Sequence, residues 1–197
     1  MTWPQIKPWF DGFVSVVALL TGAYTFYKNF VERAKVSIVP GDRMAIILGP
    51  GGARRIHLRG ALINDATKMG TLQCLEAKIT SPNGTTQRYS WNELVEFVPG
   101  TVGVQRAGPP LPIAIPGKDT RPLLTQLELT EQNTRADWTA GRHRVEVLGW
   151  VNRKSRQRPA NAKCVFHVNI TCEQASILPI DQPEHKYEDI QIEEWSA

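Results

Sequence analysis

The chain has 197 residues, 42% of them hydrophobic, with 23 Lys and Arg, 19 Asp and Glu, and three cysteines. That apolar content excludes a globally disordered or collagen-like chain, and so few cysteines exclude a disulfide-stapled scaffold. Residues 180–197 carry six acids and one base, whereas 1–179 carry 22 bases against 13 acids; the basic body favours anionic partners.

The first element is a helix. Prolines at 4 and 8 are followed by none until Pro40, which predicts one helix beginning just after Pro8. Gly12 to Tyr27 is an uncharged run bracketed by Asp11 and Lys28. At 1.5 Å per residue it covers roughly 24 Å, against ~30 Å of hydrocarbon. Bilayer thinning and snorkelling by Lys28 would close the gap. Trp3, Trp9 and Phe10 at one end, and Tyr24, Phe26 and Tyr27 at the other, match aromatic interface belts. The expectation is a single-pass anchor of the cell membrane. Lys28, Arg33 and Lys35 follow the span and Lys7 alone precedes it, so the N-terminus is expected outside and the rest in the cytoplasm. A cleaved leader, with Thr21-Gly22-Ala23 as its site, and an interfacial amphipathic helix are the competing readings.

Within this helix Asp11, Ser15, Ala18, Gly22, Thr25 and Asn29 recur at spacings of four and three, on one stripe. In lipid, helices associate by close backbone approach, which small residues allow. Ser15, Ala18, Gly22 and Thr25 are therefore the expected helix–helix interface, with a second copy or another membrane protein. A monomeric anchor and a pore lining are the alternatives.

From Val36 the apolar period changes to two. Candidate strands are 35–39, 44–48, 55–63, 72–80, 86–91, 94–98, 121–129, 142–151 and 163–171. Gly49-Pro50-Gly51-Gly52, Pro82-Asn83-Gly84, Pro99-Gly100 and Pro116-Gly117 punctuate them. The Pro/Gly-rich stretch 99–120 is expected to hold no strand and to cross between sheets. Short alternating strands without amphipathic helices predict an all-β antiparallel β-sandwich. Trp138 to Val151, a small-Gly turn leading into an alternating strand, resembles the late strands of immunoglobulin-like sandwiches; the Cys…Trp…Cys signature is absent.

Motifs for chemistry are missing. Cys164 and Cys172 lie on one extended strand, about 26 Å apart, too far for a disulfide. A 142–151/163–171 hairpin whose paired residue numbers sum to about 314 would set His143 and His167 four rungs apart, unsuited to zinc. There is no Gly-x-Ser-x-Gly and no P-loop ending after Gly52. Glu93 and Glu96 lack a partner acid or base. No catalytic residue, metal or cofactor is expected. The sequons at Asn83 and Asn169 matter only to a lumenal body.

Arg153, Lys154, Arg156, Arg158 and Lys163 crowd one hairpin tip. A solvated turn is the plain reading. Anionic lipid headgroups or an acidic partner is the functional one. Nucleic acid is disfavoured, because no aromatic lies among these bases for stacking. After Pro179 the chain turns acidic and reads as a mobile tail. Ile190, Ile192 and Trp195 give it apolar anchors for docking on a basic surface.

The expected organisation is an outer N-terminus (1–8), a membrane helix (9–35), a cytoplasmic sandwich (36–179) and an acidic tail (180–197). The expected function is a non-enzymatic recognition or scaffold module that binds a protein partner, with membrane lipids and further copies of itself as neighbours. An oligomerising effector whose helices perturb the bilayer and a secreted adhesion-like sandwich are the alternatives.

Overall fold

A computed structural model describes residues 3–28, 32–49, 52–97, 104–131, 135–153, 159–180 and 186–196. Helix α1 spans Trp3–Phe26. It begins before Pro8 and ends well short of Pro40. Pro8 lies early in the helix and removes one backbone bond, to the Pro4 carbonyl. Among the described residues no helix is long and apolar enough to cross a membrane. The expected single-pass anchor, with its N-terminus outside and its body in the cytoplasm, is therefore not supported. The uncharged run is short, and Ser15, Thr21, Gly22 and Thr25 dilute its apolar content.

The strands are β1 (Val36–Leu48), β2 (Arg55–Asn64), β3 (Gly70–Thr80), β4 (Thr86–Phe97), β5 (Val104–Gly108), β6 (Ile113–Ile115), β7 (Asp119–Leu129), β8 (Gly141–Val151), β9 (Ala162–Ile170) and β10 (Lys186–Ser196). A short helix, α2 (Cys172–Ile177), precedes β10. Eight strands form a ring in the order β4-β7-β2-β1-β10-β9-β8-β3, closed by pairing of β3 with β4. Every pairing is antiparallel. The fold is a closed barrel and not the expected immunoglobulin-like sandwich.

The reason lies in the acidic C-terminal segment. Residues 186–196, expected as a mobile tail, are a stave between β1 and β9. Without that stave β1 and β9 would be free edges of an open sheet; with it the ladder has no gap there. The 99–120 stretch also departs from expectation. Its described part contains β5, which extends the edge of β4, and β6, which extends the edge of β3.

Strand alternation fills the interior. Ile38, Met44, Ile46 and Leu48 of β1 point inward with Ile56, Leu58 and Leu62 of β2. They meet Leu123 and Leu127 of β7, Val145 and Val147 of β8, and Cys164, Phe166 and Val168 of β9. Large side chains from all around the ring leave a packed core. Pro40-Gly41-Asp42, which looks like a stop, is a bulge inside β1. Pairing with β2 shifts between Pro40 and Met44, and proline's missing N–H is tolerated at a bulge. The bulge brings β1 so close that a Cβ on Gly60 would lie 2.2 Å from the Val39 carbonyl oxygen.

Polar hubs lie within the packing. Trp138 donates from Nε1 to the Ala53 carbonyl at 2.9 Å and stacks beside Tyr89 and His143. Asn64 is buried elsewhere in the barrel. Its amide nitrogen donates to the carbonyls of Lys68 (2.7 Å), Pro116 (3.1 Å) and Ile115 (3.2 Å). Its oxygen accepts from the N–H groups of Ala66 and Lys35. Asn64 thus ties the segment after α1 to β2, β6 and the 65–69 turn.

Candidate functional site

The connection from α1 into β1 builds a cavity of about 520 Å³. Glu32, Arg33 and Ala34 form one side, Lys68 and Met69 another, and Val151, Asn152, Arg153 and Asn161 the third. Those three stretches meet because Asn64 bonds both Lys35 N–H and the Lys68 carbonyl, while β3 pairs with β8 from Leu72 to Val151. Asn152 takes a left-handed backbone, φ 54°. Its side-chain oxygen accepts from Thr71 N–H at 2.9 Å, and its own N–H donates to the Thr71 carbonyl at 2.8 Å. Asn161 spans Val151: its oxygen accepts from the Val151 N–H and its nitrogen donates to the Val151 carbonyl. Backbone ties of this kind make the wall rigid before any ligand arrives.

The cavity is cationic. Among the described residues, Arg33, Lys68 and Arg153 line it with one acid, Glu32. Glu32 is already engaged: Lys28 Nζ donates to it at 2.7 Å, and the Thr67 hydroxyl donates to its other oxygen. The bond from Lys28, with Thr67 in support, holds the Glu32 carboxyl below its ordinary range. Three cations therefore stand against an acid whose charge is matched outside the cavity.

A second hollow, about 540 Å³, lies in the barrel wall beside the inserted β5 and β6. Leu94, Val95, Ala107, Ile113, Pro122 and Leu123 give it an apolar lining.

The residues singled out from the sequence are scattered. Ser15, Ala18, Gly22 and Thr25 lie on α1, exposed along its described length. Ser15 Oγ donates back to the Asp11 carbonyl at 2.8 Å, and Thr21 Oγ1 to the Val17 carbonyl at 2.8 Å. Of the basic run, Arg153 lines the cavity and donates to the Pro159 carbonyl. Lys163 turns away to an ion pair with Glu146. Lys154, Arg156 and Arg158 lie outside the described residues. Ile190 is core, Ile192 packs against the core, and Trp195 is half exposed. Acids beside Trp195 do meet a base: Arg142 bonds Glu194 at 2.6 Å and lies 3.6 Å from Glu193.

Arg33 and Lys68 join Arg153 although sequence reasoning set them apart. Arg33 reads as a charge following a span, and no motif in the sequence marks Lys68; only the tertiary fold unites them. The hairpin register also differs. Paired numbers in β8 and β9 run Gly141↔Ile170 to Gly149↔Ala162, three lower in sum than expected. His143 therefore pairs with Val168 inside the barrel, while His167 pairs with Arg144 on the opposite face. The two imidazoles are near in register but separated by the sheet.

No family model matches the sequence, and no curated protein matches it. Among solved structures, one similar chain is the Pseudomonas fluorescens alkylpurine DNA glycosylase AlkC bound to DNA containing an abasic site analog. It is 16% identical with a TM-score of 0.32, over 67% of this chain and 30% of that one. This chain thus spans under a third of that protein, and nothing about its chemistry follows from the likeness.

Proposed function

We propose that this protein is a non-enzymatic recognition module that assembles with copies of itself through α1, leaving the barrel as the rigid body each copy carries. The observation behind this reading is the bareness of α1. Phe13, Val14, Val16, Val17, Leu19, Leu20, Tyr24 and Phe26 are all exposed, and Leu19 reaches 73%. A helix apolar on most of its circumference is one that its setting buries. Each such side chain withdrawn from water contributes ~1.5–3 kcal/mol, so a few per helix offset the cost of association.

Neighbouring copies are the chosen occupant because of what lies along the Ser15-Ala18-Gly22-Thr25 stripe. The Ser15 hydroxyl is bonded within its own helix, so closing this face strands no donor there. A Cβ on Gly22 would meet nothing within 4 Å in this chain. The non-enzymatic part of the reading rests on dispersion: Cys164 and His143 lie inside the barrel, and His57 lies buried on the outer side of β2.

Gly22→Leu tests the reading. The substitution meets open space and raises helix propensity, so it leaves the chain's own fold intact. Light scattering of the full chain in mild non-ionic detergent is expected to give a multimer for the wild type and a mass near the monomer for Gly22→Leu. Equal masses, or a monomeric wild type that floats with phosphatidylcholine vesicles, would overturn the reading.

A further inference from the structure

We infer that the cavity between the α1–β1 connection and the barrel is a binding site for a phosphate-bearing ligand. It goes beyond helix association and needs no part of it.

Three features carry the inference. Arg33, Lys68 and Arg153 come from three separate stretches of chain and line one cavity of about 520 Å³, inside the range of small-ligand sites. The single acid among its described lining residues, Glu32, is bonded to Lys28 and Thr67. Among the described residues neither Arg33 nor Lys68 has an ion-pair partner. Like charges gathered in one recess repel, and an anion relieves that repulsion. The neighbouring amides are also fixed in advance. Asn161 is committed at both ends to Val151, and Asn152 gives its oxygen to Thr71 N–H, which leaves its NH2 as the donor end.

The charge count selects the ligand. One carboxylate satisfies one cation. Three cations in a cavity this large suit a group carrying two or more charges and several acceptor oxygens, which a phosphate ester or diphosphate supplies. Arg presents a planar fork to such oxygens and Lys a point charge. A soluble phosphorylated compound and a lipid phosphate headgroup share this chemistry.

The experiment compares three variants that lose the same single charge: Lys68→Gln, Arg33→Gln and Lys163→Gln. Lys163 lies in the basic run but is paired with Glu146 outside the cavity. Inorganic pyrophosphate is titrated calorimetrically into the full chain at about 50 mM salt, where screening is weak. A parallel arm compares sedimentation with phosphatidylcholine vesicles and with vesicles that also contain phosphatidic acid. The difference between the two vesicles removes any contribution of α1 to neutral lipid.

Lys68→Gln and Arg33→Gln are each expected to weaken binding about tenfold, and Lys163→Gln by less than about twofold. Thermal midpoints of the three variants should match. Response to pyrophosphate alone assigns a soluble ligand, and response to phosphatidic acid alone assigns a headgroup. Equal losses in all three variants would reduce the effect to general charge and sink the site, as would absence of binding in both arms. Gly22→Leu should bind like the wild type, so failure of the helix reading leaves this result standing.

Discussion

His57 is a small polar fault in the barrel wall. Its side chain is 1% exposed on β2. Nε2 donates to Gln126 Oε1 at 3.0 Å, which fixes the tautomer and leaves Nδ1 as a buried lone pair without a partner among the described residues. Protonation would place a second N–H where nothing accepts it. Burial lowers the His57 pKa; the nearby Arg59 charge lowers it further, against the opposing effects of Gln126 and Asp189. The unfolded imidazole titrates near 6.5. Below that pH the unfolded chain binds the proton first, so the stability held above pH 6.5 falls as pH drops toward the lower folded value. Urea midpoints should decline from pH 7.5 to 5.5, with a slope of at most about 1.4 kcal/mol per pH unit from this group. His57→Gln should flatten that decline; an unchanged slope would show that another group carries it.

At the scale of elements, β10 separates chemistry from appearance. Six acids in its neighbourhood suggest a solvated tail, yet Ile190 and Ile192 alternate as a strand's buried face does. Its acids are placed along the barrel: Glu188 accepts from Gln174 Nε2 at 3.0 Å, and Glu193 and Glu194 approach Arg142. Removing 186–197 should therefore abolish the fold rather than trim a tail, because β1 and β9 would each lose a partner along their backbones. The truncated chain is expected to lose its cooperative thermal transition and to aggregate. A soluble truncation with a wild-type melting curve would contradict the role of β10. Helix α1 is the converse case: its existence was legible from proline spacing, while its ends and its lack of cover were not.

For the whole molecule, closure makes the barrel one cooperative unit. Cys164 is a probe of it, since its side chain lies in the interior with no exposure and burial pushes its thiol up to about 11. The thiolate is the reactive form. In a Cys74→Ser, Cys172→Ser chain at pH 8, Cys164 should react with a thiol reagent only at the rate of global unfolding measured separately. Fast modification in the native state would reveal local opening between β8 and β9. In the wild type, exposed Cys172 should react at once.

Alternation of side chains was readable without coordinates, and most body strands from 36 to 170 lie where the period of two sets them, because each strand's in–out pattern is local. The joining of 35–39 with 44–48, and of 86–91 with 94–98, into β1 and β4 was not readable, since a bulge resembles a stop until its partner strand is known. Ring closure was hidden as well. Whether a sheet ends in two edges or meets itself depends on pairings far apart in sequence, here β3 with β4 and β10 with both β1 and β9. The basic cavity has the same origin: Arg153 stood out as part of a charge run, but Arg33 and Lys68 gain meaning only when the fold carries them to it.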